Sequence, residues 1–228
     1  MSGISLLSVR EAAAVLAVTP MAIRRRIDAG SLPAKKYGRE WLLDRKDVER
    51  SARLRSKPGR AMSAPMAWSV LSLASGEPEQ AAALAGCDRY WSRAQSWLEN
   101  HSLVDEAPRL RGRAVNESFD VHRSELPRLL SRRDVLPTGV SAAKTVGLIG
   151  GPEEAEFYAP ARARKELTLE HGLAPSSGAV RIRWVPDEVW KILVSNRRAA
   201  VPRAAVLVDL LESDDPRARR EAAKALAR

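Results

Sequence analysis

Apolar positions over the first fifty residues recur at helical spacing, lapse, recur again, and then give way to a short alternating run. The first helical stretch follows Ser8, which stands three residues before Glu11 in SVRE. That is the spacing of a capping box, hydroxyl to a backbone N–H and carboxylate back to the cap. The small and apolar face is Ala12, Ala13, Val15 and Leu16, and Ala17-Val18 breaks the pattern. Thr19 restarts a helix as N-cap, with Pro20 at its first position, where a missing N–H costs nothing. Gly30 is placed to end it in a left-handed cap. AKKY, Gly38-Arg39 and EWLL predict two short strands around a Gly turn, and Asp44 caps a third helix, RKDVERSARL. Helix, turn, helix, hairpin, helix is the order of a winged helix-turn-helix.

The residues that set this rhythm are Leu7, Glu11-Ala12-Ala13, Leu16, Val18, Ile23, Ile27, Gly30, Leu32-Pro33, Gly38-Arg39, Trp41 and Val48. Over residues 5–53 the stretch resembles the excisionase/MerR-like winged-helix family, and the resemblance implies a DNA-binding domain over 1–57. On the second helix, Ile23 and Ile27 lie about 40° apart and define a buried stripe. Arg25 then points about 180° away, and Arg24 and Arg26 flank it at about 80° on either side. Thr19, Met21 and Ala22 occupy the helix N-terminus, where a recognition helix meets base edges. Lys35, Lys36 and Arg39 line the hairpin, suited to phosphate or minor-groove contact. A solvated basic face is the competing reading, because Asp28 stands four residues from Arg24 and three from Arg25. Trp41 reads as packing at the base of the wing.

After a basic Pro-Gly linker at 54–62 the same rhythm returns. An apolar helix over 64–75 precedes EQAAALAG, and Asp88 opens a helix carrying Arg89, Arg93, Trp91 and Trp97. RLRGRAVNESFDVH then predicts two strands around Gly112 to Asn116, and RSELPRLL a closing helix. Residues 62–134 therefore read as a second, degenerate winged helix. Arg109, Arg111 and Arg113 would line its wing and extend the DNA-binding set, while Trp91 and Trp97 read as packing.

From 135 to 228 the pattern is mixed α/β, with AVRIRWV as a strand and PDEVWKIL and VPRAAVLVDLLESDDPRARREAAKAL as helices. The fold class is mainly α with small β wings, closed by this α/β domain. Its landmarks are Pro137-Thr138-Gly139, Tyr158, Pro160, Leu167, Glu170-His171-Gly172-Leu173, Val180, Arg183, Val185-Pro186, Trp190, Pro202, Leu210-Leu211 and Asp215-Pro216-Arg217. That succession is similar to AbiE-type antitoxins. The resemblance implies a transcriptional autorepressor whose C-terminal half neutralises a nucleotidyltransferase-like toxin. The excisionase-like N-terminus departs from the winged helix such antitoxins often carry. An excisionase-like or MerR-like regulator of a mobile element, with no toxin, is the alternative.

Charge sharpens the first half of this picture. The chain of 228 residues carries a formal +10. Residues 1–60 hold fourteen Lys and Arg against six Asp and Glu, whereas the remainder is close to neutral. A basic domain joined to a near-neutral one points to a polyanion, here double-stranded DNA. A cognate toxin and a second copy of the chain are the other partners the reading admits. No run of 18 apolar residues and no signal-peptide pattern stands in the chain, so a cytoplasmic, nucleoid-associated protein is expected, with no membrane partner. The lone Cys87, the dispersed His101, His122 and His171, and a Gly147–Gly150–Gly151 run without a following Lys-Ser/Thr provide no disulfide, metal set or phosphate loop. No catalytic residue and no cofactor are expected.

Overall fold

The computed structural model describes residues 5–28, 32–53, 60–148, 155–175, 180–195 and 200–227. Gly30, residues 54–59 of the linker, Gly150, Gly151 and the loop at 176–178 lie outside the described residues.

The N-terminal head runs β1 (Leu6–Ser8), α1 (Val9–Val15), α2 (Pro20–Asp28), β2 (Lys35–Tyr37), β3 (Glu40–Asp44) and α3 (Arg45–Arg53). Ser8 starts α1 through the full capping box with Glu11. Ala17, at φ +45°, turns the chain between α1 and α2. The Thr19 hydroxyl then accepts the Ala22 N–H at 3.2 Å to open α2. Gly38 takes φ +58° at the hairpin turn, a conformation that costs a residue with a Cβ. The Asp44 carboxylate accepts the Lys46 N–H at 2.8 Å at the start of α3. Leu7, Ala12, Ala13, Leu16, Ile23, Leu32, Leu43 and Val48 form the core of the head. Burying each of the larger side chains contributes about 1.5–3 kcal/mol. Two details differ from the sequence pattern. Val15 is 41% exposed rather than inside. Residues 6–8 form a strand that pairs with β3 and makes the order β1-β3-β2.

In the body, α4 (Ala64–Ala74), α5 (Pro78–Ala85) and α6 (Asp88–Asn100) pack on one another as expected. The hairpin that should follow does not form. After α7 (Leu103–Glu106) the segment Ala107–Arg113 is a 3-10 helix, and β4 (Val115–Asp120) is a single strand. The Met62 N–H donates to the Arg109 carbonyl at 2.9 Å, and a Cβ at Gly112 would collide with the Met62 carbonyl. Gly112 therefore serves close backbone approach instead of a hairpin turn. The strand β4 pairs antiparallel with β8, from Val115 opposite Trp184 to Phe119 opposite Val180, far along the chain from the partner a local hairpin would supply.

The remaining elements are α8 (Leu126–Leu130), β5 (Leu136–Pro137), α9 (Gly139–Ala142), β6 (Ala155–Pro160), α10 (Arg164–Glu170), β7 (Ala174–Pro175), β8 (Val180–Val185), α11 (Asp187–Leu193), α12 (Arg203–Leu211) and α13 (Pro216–Leu226). Among the described residues they build a five-stranded sheet of order β5-β6-β8-β4-β7, with β6 parallel to β8. The sheet takes β4 from one side of position 134 and the other strands from the other side, so the two halves share a fold.

Both faces of the sheet are covered. Phe119, Phe157, Ile182 and Trp184 pack with Leu167 of α10 on one face. Tyr158 and Val185 join Trp68 of α4 and Val208 of α12 on the other, and the Trp68 and Tyr158 rings meet edge-on at 4.9 Å. That second face also buries charge. The Arg113 guanidinium donates to Asp209, to Glu212 at 2.6 Å and to the Tyr158 hydroxyl at 3.0 Å. Arg183 donates to Glu212 at 2.8 Å, and the Thr138 hydroxyl reaches Asp209 at 2.5 Å. Burial alone would raise the Glu212 pKa, but Arg113 and Arg183 outweigh it and hold the carboxyl at about 2. Burial pushes the Tyr158 phenol up, so it stays a neutral donor to Asp209. No helix among the described residues is long and apolar enough to cross a membrane.

Candidate nucleic-acid interface

The head presents α2 and the β2–β3 hairpin, and each expected residue can be placed on them. Ile23 is fully buried and Ile27 is half-buried against the core, which fixes the rotation of α2. The opposite side then faces solvent. Arg24 and Arg25 are exposed, and among the described residues neither pairs with Asp28 or any other acid. Met21 is 56% exposed at the helix start, a long apolar side chain left in water. Ala22 is half-buried and Thr19 is committed to its cap.

Arg26 behaves differently from its neighbours. It is half-buried and donates to the Ser51 hydroxyl of α3 at 3.4 Å, so it turns inward along the head instead of flanking Arg25 in solvent.

On the hairpin, strand alternation separates the two lysines. Lys36 sits across from Trp41 in the β2–β3 register, with its ammonium 5.8 Å from the indole centre. A cation over an indole face at that range is attracted by the ring quadrupole. Lys35 lies on the other face, and its ammonium is 3.8 Å from the Asp120 carboxylate of β4. Both groups of that pair are more than half exposed, so salt and a phosphate compete with it readily. Arg39 is exposed beside the turn. Tyr37, exposed between Lys36 and Gly38, was not singled out from the sequence, although the alternation through KKYGREW places it outward.

Residues 6–53 match the family model of a helix-turn-helix domain. Neither a curated protein nor a solved structure matches the chain. The helix-turn-helix domain supports a DNA-binding regulator and coincides with the basic part of the chain.

The arginines assigned to a second wing are not on a wing. Arg109, Arg111 and Arg113 all belong to the 3-10 segment, because the strand expected there is absent. Arg113 is 1% exposed and fully engaged by Asp209, Glu212 and Tyr158, so it cannot meet a phosphate. Arg109 is half-buried beside Glu106 at 3.7 Å. Arg111 is the most exposed of the three. On α6, Trp97 is buried and stacks on His101 at 5.0 Å, whereas Arg89 and Arg93 are exposed.

Three landmarks of the C-terminal resemblance, Thr138, Tyr158 and Arg183, meet in the buried network around Asp209. Their role here is to hold α12 against the sheet. His171, another landmark, is buried and hydrogen-bonded to Glu125 at 3.1 Å, and His122 caps the turn at Ser124.

Proposed function

We propose that the chain is a sequence-specific, double-stranded-DNA-binding transcription regulator. The recognition helix α2 lies in the major groove through Met21, Ala22, Arg24 and Arg25, and the hairpin places Lys35, Lys36 and Arg39 on the flanking backbone. The observation that carries this reading is the pair of arginines, unpartnered among the described residues, on the solvent face of a matched helix-turn-helix domain. A neutralised basic face would have shown Arg24 or Arg25 bridged to Asp28. Phosphate contacts would supply salt-sensitive affinity, and the outward face of α2 would supply base readout.

The body gives this head its biological role. We assign it as an autorepressor and antitoxin, whose C-terminal half neutralises a nucleotidyltransferase-like toxin. Support for that assignment is the succession of residues from Pro137 to Arg217 described above. Selection of duplex fragments by the purified chain, combined with identification of proteins retained on the tagged chain in its host, tests both levels. Recovery of one duplex motif from upstream of its own gene, together with a stoichiometric second protein, is the expected outcome. A motif with no protein companion would favour a mobile-element regulator, and no enrichment of any duplex would remove the DNA-binding reading.

A further inference from the structure

Between the head and the body runs a cleft with two adjoining chambers. The first, of about 500 Å³, takes Arg26 and Arg50 from the head and Arg111 and Arg181 from the body, with Asp47 and Glu212 as its acids. The second, of about 300 Å³, takes Ile27 and Trp41 from the head and Phe119 from β4, and is also lined by Arg164 and Glu117, which pair with each other. Leu32, Pro33 and Ser118 line both chambers, so the arginine-rich one adjoins the one walled by Trp41 and Phe119. Either volume is within the range of small-molecule sites.

Most charges around the first chamber are paired, Arg50 with Asp214 of the body among them, and among the described residues Arg111 is left over. Asp47 is engaged by Arg50, and Glu212 by Arg113 and Arg183 behind the sheet. Arg181 is held by Glu156, which fixes its position on β8. Arg111 is exposed and among the described residues has no hydrogen bond or ion pair. A guanidinium with five free donors beside three anchored ones suits a planar anion such as a carboxylate.

We propose that this cleft binds a small amphipathic anion, a carboxylate whose oxygens meet Arg111 and whose aromatic or aliphatic body lies between Trp41 and Phe119. Arg26 and Ile27 of the recognition helix and Trp41 of the hairpin form its walls. Occupancy therefore fixes the angle between head and body and changes the affinity of the head for DNA. The binding step stands without the DNA reading, and its effect on DNA rests on that reading.

The test is a calorimetric titration of the full chain with phenylacetate, indole-3-acetate, 4-phenylbutyrate and octanoate, with 4-phenyl-1-butanol as the neutral analogue. At least one acid should bind saturably, and at least about tenfold more tightly than the alcohol. Arg111→Ala should weaken that acid about tenfold, and Ser118→Phe, which fills the shared waist, should abolish it. Circular dichroism establishes that each variant folds, and if Ser118→Phe does not, Arg111→Ala and the alcohol decide the matter. Absence of saturable binding by all four acids up to about 10 mM overturns the proposal, as does equal binding of acid and alcohol. Wild-type affinity in Arg111→Ala overturns it too. Saturating acid should shift the DNA titration midpoint at least threefold or so. An unmoved midpoint with the acid bound removes the regulatory half, whereas a chain that binds acid but no DNA contradicts the proposed function alone.

Discussion

Arg50 of α3 and Asp214 of the turn between α12 and α13 form an ion pair that ties the head to the body. The side chains are 17% and 25% exposed, so the pair is shielded from salt more than an ordinary surface bridge. Asp47 supports Arg50 from within α3 at 3.0 Å. The head is thus latched to the body at one end of the cleft, while the exposed Lys35–Asp120 contact closes the other.

This latch should be measurable. In a double-mutant cycle of Arg50→Ala and Asp214→Ala, urea unfolding should return a coupling of about 1 kcal/mol or more. A coupling near zero would mean that the head does not rest on the body in solution.

The charge network behind the sheet should be far less tolerant. Asp209→Ala removes the buried carboxylate to which Arg113, Tyr158 and Thr138 donate and with which Arg183 pairs, and the cost should be about 3–5 kcal/mol of folding stability. Thermal unfolding followed by far-ultraviolet circular dichroism checks this. A loss below about 1 kcal/mol would show that water reaches the two guanidinium groups in the folded chain.

How much of this could be read beforehand depended on the sequence separation of the partners. Ser8 and Glu11, Thr19 and Pro20, Gly38, and Asp44 act within a few residues, and each marks the boundary it forms. The strand at Leu6–Ser8 left no such mark, because three residues cannot show an alternation and its partner lies in β3. Arg113 sits in the buried network and not on a wing for a related reason. RLRGR reads as a basic turn until Asp209 and Glu212, ninety-six and ninety-nine residues later, are brought to it. The strand β4 likewise looked like half of a local hairpin, and only the position of β8 shows where its hydrogen bonds go. On α2, helical spacing places Arg24 and Arg25 outward as observed, but does not show that Arg26 turns toward α3, where it donates to Ser51.

Asp47 provides a pH signature. Burial pushes its carboxyl up to about 6 in spite of the neighbouring Arg50. The folded chain therefore holds this proton more tightly than the unfolded chain. The group's contribution to stability is complete below about pH 4 and is lost as the pH rises through about 6. Asp47→Asn lacks the titration, so its stability relative to the wild type should rise by about 2 kcal/mol between those limits. Urea midpoints of the two proteins across that window are the check, and a constant difference would contradict a buried carboxyl.

The two lysines of the hairpin should separate by their surroundings. Lys36, fixed over Trp41, should contribute a sequence-independent phosphate contact, and Lys36→Ala should reduce the slope of log affinity against log salt by about 1. Titrations at several salt concentrations test this, and a loss confined to one DNA sequence would place Lys36 on a base instead.

DNA recognition by the outward face of α2 is most directly tested on Arg25. A fluorescence-anisotropy titration of a selected duplex and of a scrambled one, with the wild type and Arg25→Ala, reads affinity and selectivity together. Arg25→Ala should lose about 1–3 kcal/mol on the selected duplex and much of its preference over the scrambled one. Unchanged affinity and unchanged preference would contradict recognition through this helix face.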